Sequence, residues 1–540
     1  MTSSTELLGV AAPRQTAIES GGSISLQAFG RAAVLLASGA LLALLWHASG
    51  FQAINSDGYY YLTTARNFVE TGTFTYDTLH STNGFHWAWM WILVGISASF
   101  KALGLSLDGS SLTATVAVLD CTLYVAAATE LHAILRGRRQ WADLTDVAPL
   151  IAGLVFIEPN LMRLSINGLE TALFLFLLLR LVRLLSEDSP RAVWVYVALT
   201  LTRIEGVVLA PLVIAIGDPR WPARLRRALM TLVPVVLIFS FDYFADGSLL
   251  SNSSQAKAYW AQLARHEYLD APSMVALLRI VGKDLAYTPG FFFQLLLSIR
   301  DDRWLAGASL ALIATVAVVA WRRRSLVAER LAAMPLYLLA WYCVVTWLAY
   351  KTIYFTPRTA EFEAQFAVKD YQSVWYFAPA GMLAALLIYL VVFSLRRRVA
   401  AALVGIVFVC VLWVRTVAAM PAASAVTAAP DCEEPPAHAT FVAQNDDGFA
   451  YYQRLPVVVL DGLVTGTRLS DGASYLSAVR AGRAEQYLTD LKPRFIRVGT
   501  DRLLSNLHVS SGAIAAIRRQ PIVHLCGMGD WYDAAAMQLP

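Results

Sequence analysis

Long apolar runs dominate this chain, at residues 32–53, 111–135, 147–163, 170–185, 192–202, 206–217, 230–244, 304–320, 333–350, 374–394 and 400–418. Each reads as a membrane-crossing helix, about eleven in all, although 192–202 and 206–217 are short for the roughly 20 residues that a spanning helix needs. The polar first thirty residues form an amino-terminal tail, and the run after them, lacking a small-residue cleavage signature, is a signal anchor. The stretch 87–103 is apolar enough to cross, but a crossing there would move Arg136, Arg138 and Arg139 to the wrong side. It is therefore assigned to an interfacial helix, with Trp87, Trp89 and Trp91 at headgroup level.

Arginine placement sets the orientation, because short cytoplasmic loops hold an excess of Lys and Arg. The segments 136–139, 180–191, 220–227, 322–330 and 396–398 together carry 17, against 5 in 52–86, 164–169, 203–205 and 351–372. The amino terminus is then inside and everything after about residue 420 outside. Residues 31–420 form the transmembrane domain, with exterior loops at 52–86 and 245–303. The tail 421–540 opens with a Pro- and Ala-rich linker and continues with apolar runs at 456–460, 495–498 and 521–526 between helix-forming stretches. The predicted fold is thus mainly α, a polytopic transmembrane helical bundle followed by a small α/β domain. Cys432 and Cys526 both lie in that tail, where an oxidising exterior would allow a disulfide closing most of it.

Composition agrees: 57% of the residues are hydrophobic and 15% charged, against about 25% charged in soluble proteins. The net charge of +4 comes from the arginine clusters, and no nucleic-acid partner is implied. The chain has no Walker loop, no dinucleotide fingerprint, no His-Glu-x-x-His and no Cys-x-x-Cys.

Conspicuous polar residues converge on the exterior face. Asp57, after the first span and before a surface helix at 58–70, either complements that helix start or acts as a general base at the bilayer rim. Glu170 begins a span, which the helix dipole alone would favour. Arg203 and Glu205 form either a local ion pair or, with His86, Asn252, Lys257 and Arg358, part of a site for an anionic lipid phosphate. Asp120 and Glu130 inside the 111–135 run fit either a proton relay or hydrogen bonding between packed helices. A transporter or lipid flippase would use that relay, and an envelope-assembly scaffold would use the tail to bind glycan.

The order of motifs resembles GT-C membrane glycosyltransferases, especially a bacterial arabinofuranosyltransferase-like and mannosyltransferase-like branch. The segments are Ser56-Asp57-Gly58-Tyr59, Thr82-Asn83-Gly84-Phe85-His86-Trp87, Asn167-Gly168-Leu169-Glu170-Thr171, Thr202-Arg203-Ile204-Glu205-Gly206, Leu249-Leu250-Ser251-Asn252 to Lys257, and Val459-Leu460-Asp461-Gly462 in the tail. The resemblance implies transfer of a pentose or hexose from a polyprenyl-phosphate carrier to a cell-envelope glycan or glycolipid acceptor, on the periplasmic side of a bacterial cytoplasmic membrane. It implies Asp57 as base, aided by Glu170, and inversion at the anomeric carbon. Many relatives carry two adjacent acids where this chain has Ser56-Asp57, so a metal is left without support. No cofactor is required, because the carrier itself activates the donor.

Overall fold

A computed structural model of the chain describes, with short gaps, residues 54–258, 333–353, 378–393, 433–459, 475–497 and 510–537, and a few isolated positions. The helical part runs α1 Ser56–Thr71, α2 Trp87–Ala102, α3 Ser110–Arg136, α4 Ala148–Phe156, α5 Pro159–Ser165, α6 Thr171–Ser186, α7 Ala192–Thr202, α8 Ala210–Ala215, α9 Trp221–Asp246, α10 Met334–Ile353 and α11 Ala378–Val392. Eight of the expected spans coincide with these helices. Of the described helices, α3 and α9 are long and apolar enough to cross a membrane. The spans expected at 32–53, 304–320 and 400–418 lie outside the described residues.

Local chemistry explains where the pattern and the helices part. The run 147–163 splits into α4 and α5 because Pro159 has no N–H to continue a helix, and the Glu158 carboxylate accepts the Leu161 N–H at 2.6 Å instead. Arg224, Arg226 and Arg227, expected in a loop, lie in the first two turns of α9. Helix α2 keeps the bounds expected for the interfacial helix, and its 16 residues reach about 24 Å, short of a roughly 30 Å hydrocarbon core. Its tryptophans do not all face headgroups. Trp87 and Trp89 are buried, and only Trp91 is exposed.

The carboxy-terminal region folds as a mixed sheet with helices. Its elements are β1 Phe441–Ala443, α12 Phe449–Tyr452, β2 Val457–Val459, α13 Tyr475–Arg480, α14 Ala484–Leu491, β3 Phe495–Arg497, α15 Ser511–Arg518, β4 Ile522–Leu525 and β5 Gly529–Asp533. The strand order is β2-β1-β3-β5-β4. Strand β1 pairs parallel with β2 and β3, and β5 is antiparallel to β3 and β4. The parallel strands are apolar on both faces because both faces are covered. Val442, Val458 and Ile496 pack on α13, α14 and α15, whereas Phe441, Val457, Val459 and Phe495 pack with Tyr60 and Tyr76 of the first exterior segment. Cys526 is disulfide-bonded. Cys432 lies outside the described residues, and the backbone of its neighbour Glu433 bonds to His524 and Cys526.

Polar contacts reinforce this docking. Buried Arg66 on α1 donates to the Tyr451 carbonyl at 2.7 Å and lies over the Tyr451 ring. The Tyr59 and Tyr452 hydroxyls are 2.9 Å apart. His80, paired through Nδ1 with Asp77 at 2.6 Å, meets the Tyr487 hydroxyl through Nε2. At the rim Arg454 grips Asp108 through two nitrogens, at 2.6 and 3.2 Å. Partial burial pushes the Asp108 carboxyl up, but hydrogen bonds from Arg454 and Ser106 outweigh it and hold the group below its ordinary range.

The docking is expected to weaken unequally on substitution. Removing the exposed Arg454 (Arg454→Ala) should cost at most about 1 kcal/mol, and Arg66→Met about 2–3 kcal/mol, because a charged hydrogen bond inside the interface is lost. Hydrogen exchange of the Tyr451 segment measures both. A carboxylate with a depressed folded value contributes stability that is present above its unfolded value and lost as pH falls through the folded one. The Asp108 contribution should therefore be constant above about pH 4 and disappear in more acid solution, and Asp108→Asn should abolish that acid dependence.

Candidate functional site

The loop Asn167–Glu170 between α5 and α6 is the keystone of one end of the helical bundle. Gly168 holds a left-handed backbone, φ +82°, open to glycine without strain. Its α-carbon lies against Gly58, where an added Cβ would sit 2.7 Å from the Asn167 carbonyl oxygen and 3.4 Å from the Gly168 α-carbon. This contact joins the start of α1, with Asp57 in its first turn, to the segment that carries Glu170. The Gly168 N–H donates to Asp120 at 2.9 Å and its carbonyl accepts from Trp89 Nε1 at 2.9 Å. Asp120 thus ties this loop to α3. Glu130, ten residues on, is about 15 Å further along α3, too far for direct proton exchange between the two.

Glu170 is the N-cap residue of α6, yet its side chain makes no capping bond. It points inward, buried, with Oε1 3.4 Å from His86 Nε2 and 3.8 Å from Arg203 Nη1. Arg203 follows α7 in extended conformation, φ −154° and ψ 126°, which breaks the helix and turns the side chain into the protein. A close approach fixes this turn, since a Cβ on Gly206 would lie 3.0 Å from the Thr200 α-carbon. The guanidinium is 1% exposed, lies 5.4 Å from the Phe174 ring centroid, and reaches Glu205 Oε1 at 3.1 Å as well as Glu170. Burial pushes Glu205 up, but Arg203 and then His86 outweigh it and hold the carboxyl below its ordinary range. The expected local ion pair is real, and it is half of a larger cluster, Glu205–Arg203–Glu170–His86.

The second exterior motif is tied to the fifth. The Asn83 side chain donates to the Asp242 and Leu250 carbonyls at 3.3 and 3.4 Å and accepts the Asn252 N–H at 2.8 Å. The Asn252 amide reaches the Thr82 hydroxyl at 3.4 Å. Between these segments lies a pocket of ≈ 90 Å³ whose polar wall is His86, Glu205, Asp242 and serines 251, 253 and 254, and whose other wall includes Phe85, Ile204, Ile238 and Leu250. His86 is set on its rim by its own N–H, which donates to the Tyr61 hydroxyl at 2.9 Å.

Of the residues singled out in the sequence, the structure brings His86, Glu170, Arg203 and Glu205 into direct contact. It puts Asp57 beside the same loop, half-buried, and Asn252 behind the pocket. Lys257 and Arg358 lie outside the described residues. The sequence pointed to Tyr61 as part of the first exterior motif but gave it no role, and Asp242, which accepts from Trp87 Nε1 at 2.8 Å, was missed. An acid near the end of the apolar α9 was a visible signal. Among the described residues no three of His, Cys, Asp and Glu are grouped to hold a metal ion.

Substitutions separate the two constraints. Gly168→Ala forces a side chain into a left-handed backbone and against Ile54 and Gly58, and should cost about 1–3 kcal/mol. Arg203→Met leaves buried Glu170 without its cation and should cost about 3–5 kcal/mol. Glu205→Gln, which leaves Arg203 paired with Glu170, should cost less than either. Thermal unfolding in nanodiscs ranks the three.

No family model matches the chain, and no curated protein matches it. Among solved structures it is similar to the archaeal oligosaccharyltransferase AglB from Archaeoglobus fulgidus in complex with an inhibitory peptide and a dolichol-phosphate. The two are 14% identical, with a TM-score of 0.48, over 88% of this chain and 70% of that chain. It is also similar to the Archaeoglobus fulgidus oligosaccharyltransferase in complex with Zn and sulfate, 15% identical, TM-score 0.48, over 86% and 67% of the two chains. The same enzyme tethered to an acceptor peptide containing the NVT sequon is 13% identical, TM-score 0.47, over 87% and 69%. Likeness at this level identifies neither family nor activity, and the functional reading rests on the site itself.

Proposed function

We propose that the chain is a polytopic membrane glycosyltransferase of the GT-C type, moving a sugar from a polyprenyl-phosphate carrier to a cell-envelope glycan or glycolipid on the extracytoplasmic side of a bacterial cytoplasmic membrane. The observation that carries this reading is convergence. Five polar motifs far apart in sequence are linked at one end of the helical bundle, and three of them line a pocket that is apolar on one wall and polar on the other. A lipid-linked phosphate needs such an amphiphilic site at a membrane edge. The flippase and scaffold readings give that cluster no task, and the 15 Å between Asp120 and Glu130 removes the short relay a flippase would have used.

The chemistry follows from the acceptor. Its hydroxyl has a high pKa, so the proton must leave as the oxygen attacks the anomeric carbon, and a positioned carboxylate accepts it. Asp57 takes that proton. The bond from the anomeric carbon to the carrier phosphate breaks with its electron pair on the phosphate, and the sugar inverts. The pocket has room on the order of three water molecules, enough for the phosphate, so the sugar sits at its mouth. His86, a quarter exposed, meets the leaving phosphate there with Lys257 and Arg358. Arg203, buried beneath two carboxylates, orients Glu170 and Glu205, and Glu170 in turn orients His86. Asn252 braces the serine-bearing segment of the pocket wall. Developing charge is thus met by groups already in place, which is where electrostatic catalysis gains most. Cys432 is the partner of Cys526, closing the exterior α/β domain. No cofactor enters these steps.

Turnover with a panel of polyprenyl-phosphate sugars in nanodiscs tests the proposal. Asp57→Asn should lower kcat by at least about 100-fold, the usual worth of a general base, with KM for the donor little changed. His86→Gln should instead raise KM for the donor. Transfer from no donor in the wild type, or equal kcat in wild type and Asp57→Asn, would contradict the assignment.

A further inference from the structure

Helices α3 and α6 carry a second charged cluster, at the ends remote from Glu170. Buried Glu130 on α3 meets Arg180 Nη1 at 2.9 Å and Arg183 Nε at 3.1 Å, and Arg183 Nε is also 3.8 Å from exposed Glu187. Glu170 stands at the N-cap position of α6, and Arg183 lies thirteen residues further on, about 20 Å along the axis. The two clusters are separate sites on one helix pair. Beside this one lies a cavity of ≈ 390 Å³ lined by Thr129, Glu130, His132, Arg136, Gly137 and Arg183, a size that takes a small ligand.

Charge and geometry say which ligand. Glu130 and Glu187 balance the charges of Arg180 and Arg183, so the surplus cation at the cavity is Arg136. Arg136, exposed in the last turn of α3, has no ion pair among the described residues. The negative ends of the helix dipoles favour arginines here, but they do not account for a cavity between them. Guanidinium groups held in fixed orientation match the oxygens of a phosphate. The arginine bias puts this end on the cytoplasmic side, where basic pockets between spans accept anionic headgroups. We propose that the cavity binds a phosphate group, carried either by an anionic phospholipid of the cytoplasmic leaflet or by free phosphate.

The test uses the full chain in phosphatidylcholine nanodiscs with and without phosphatidylglycerol, followed by exchange into detergent and native mass spectrometry. Arg136→Gln removes a lining charge at an exposed position without touching the Glu130 pairs. Arg226→Gln removes an equal charge from exposed α9, on the same side but away from the cavity. Wild type and Arg226→Gln should retain phosphatidylglycerol, and Arg136→Gln about five-fold less. In a second arm, inorganic phosphate is titrated against thermal unfolding in detergent. A rise in Tm that is lost in Arg136→Gln, without lipid retention, also supports the site and makes its occupant free phosphate. Equal losses in the two variants would reduce the effect to general surface attraction and overturn the site, as would the absence of both lipid retention and a phosphate effect in the wild type. Neither variant touches the exterior cluster, so sugar transfer is unaffected by either result.

Discussion

One end of the helical bundle depends on one buried cation. Arg203, 1% exposed, cannot be held without partners, because a desolvated guanidinium is costly unless it is paired and hydrogen-bonded. Its partners come from two chain segments, Glu205 two residues on and Glu170 from the loop before α6. Glu170 in turn is within reach of His86, which belongs to the first exterior segment. A single charge requirement thereby fixes three turns relative to one another. The glycine contact between Gly58 and Gly168 then brings the start of α1, and Asp57 with it, to the same place.

The first exterior segment is held from its other side by the carboxy-terminal region. The sheet presents Phe441, Val457 and Val459 to Tyr60 and Tyr76, and the polar contacts of Arg66, His80 and Asp108 surround that apolar patch. Helix α1 is thus clamped between the membrane helices and the sheet. The base proposed on this helix, Asp57, would be held in place before substrate arrives, which is the condition for electrostatic stabilisation without reorganisation. In the proposed reaction, the carboxy-terminal domain would thus serve to position the base.

Much of this was legible in the residues, for identifiable reasons. Long apolar runs located the helices, since burial and lipid both select for them, and α7 has the bounds its run gave. The continuous apolar runs at 456–460 and 495–498 marked strands covered on both faces. The break at Pro159 was also written in the chain, but the length of the apolar run masked it. Other features were not legible because they depend on packing. Nothing in Trp87-Ala88-Trp89-Met90-Trp91 distinguishes the two rings that turn inward to Asp242 and Gly168 from the one left outside. The convergence of Glu170 with His86, far apart in sequence, was readable as a shared membrane side but not as contact. Asp242 was overlooked because α9 reads as an ordinary span until Trp87 is placed against it.

In the proposed site a carrier phosphate sits against His86, in the pocket framed by Glu205 and serines 251, 253 and 254, with its sugar beside Asp57. A cryo-EM map of the chain in nanodiscs, bound to a non-cleavable polyprenyl-phosphonate sugar, tests it most directly. Phosphonate density is expected within hydrogen-bonding distance of His86, with a sugar ring between that density and the Asp57 carboxylate. Density elsewhere on the exterior face, or a sugar turned away from Asp57, would contradict it.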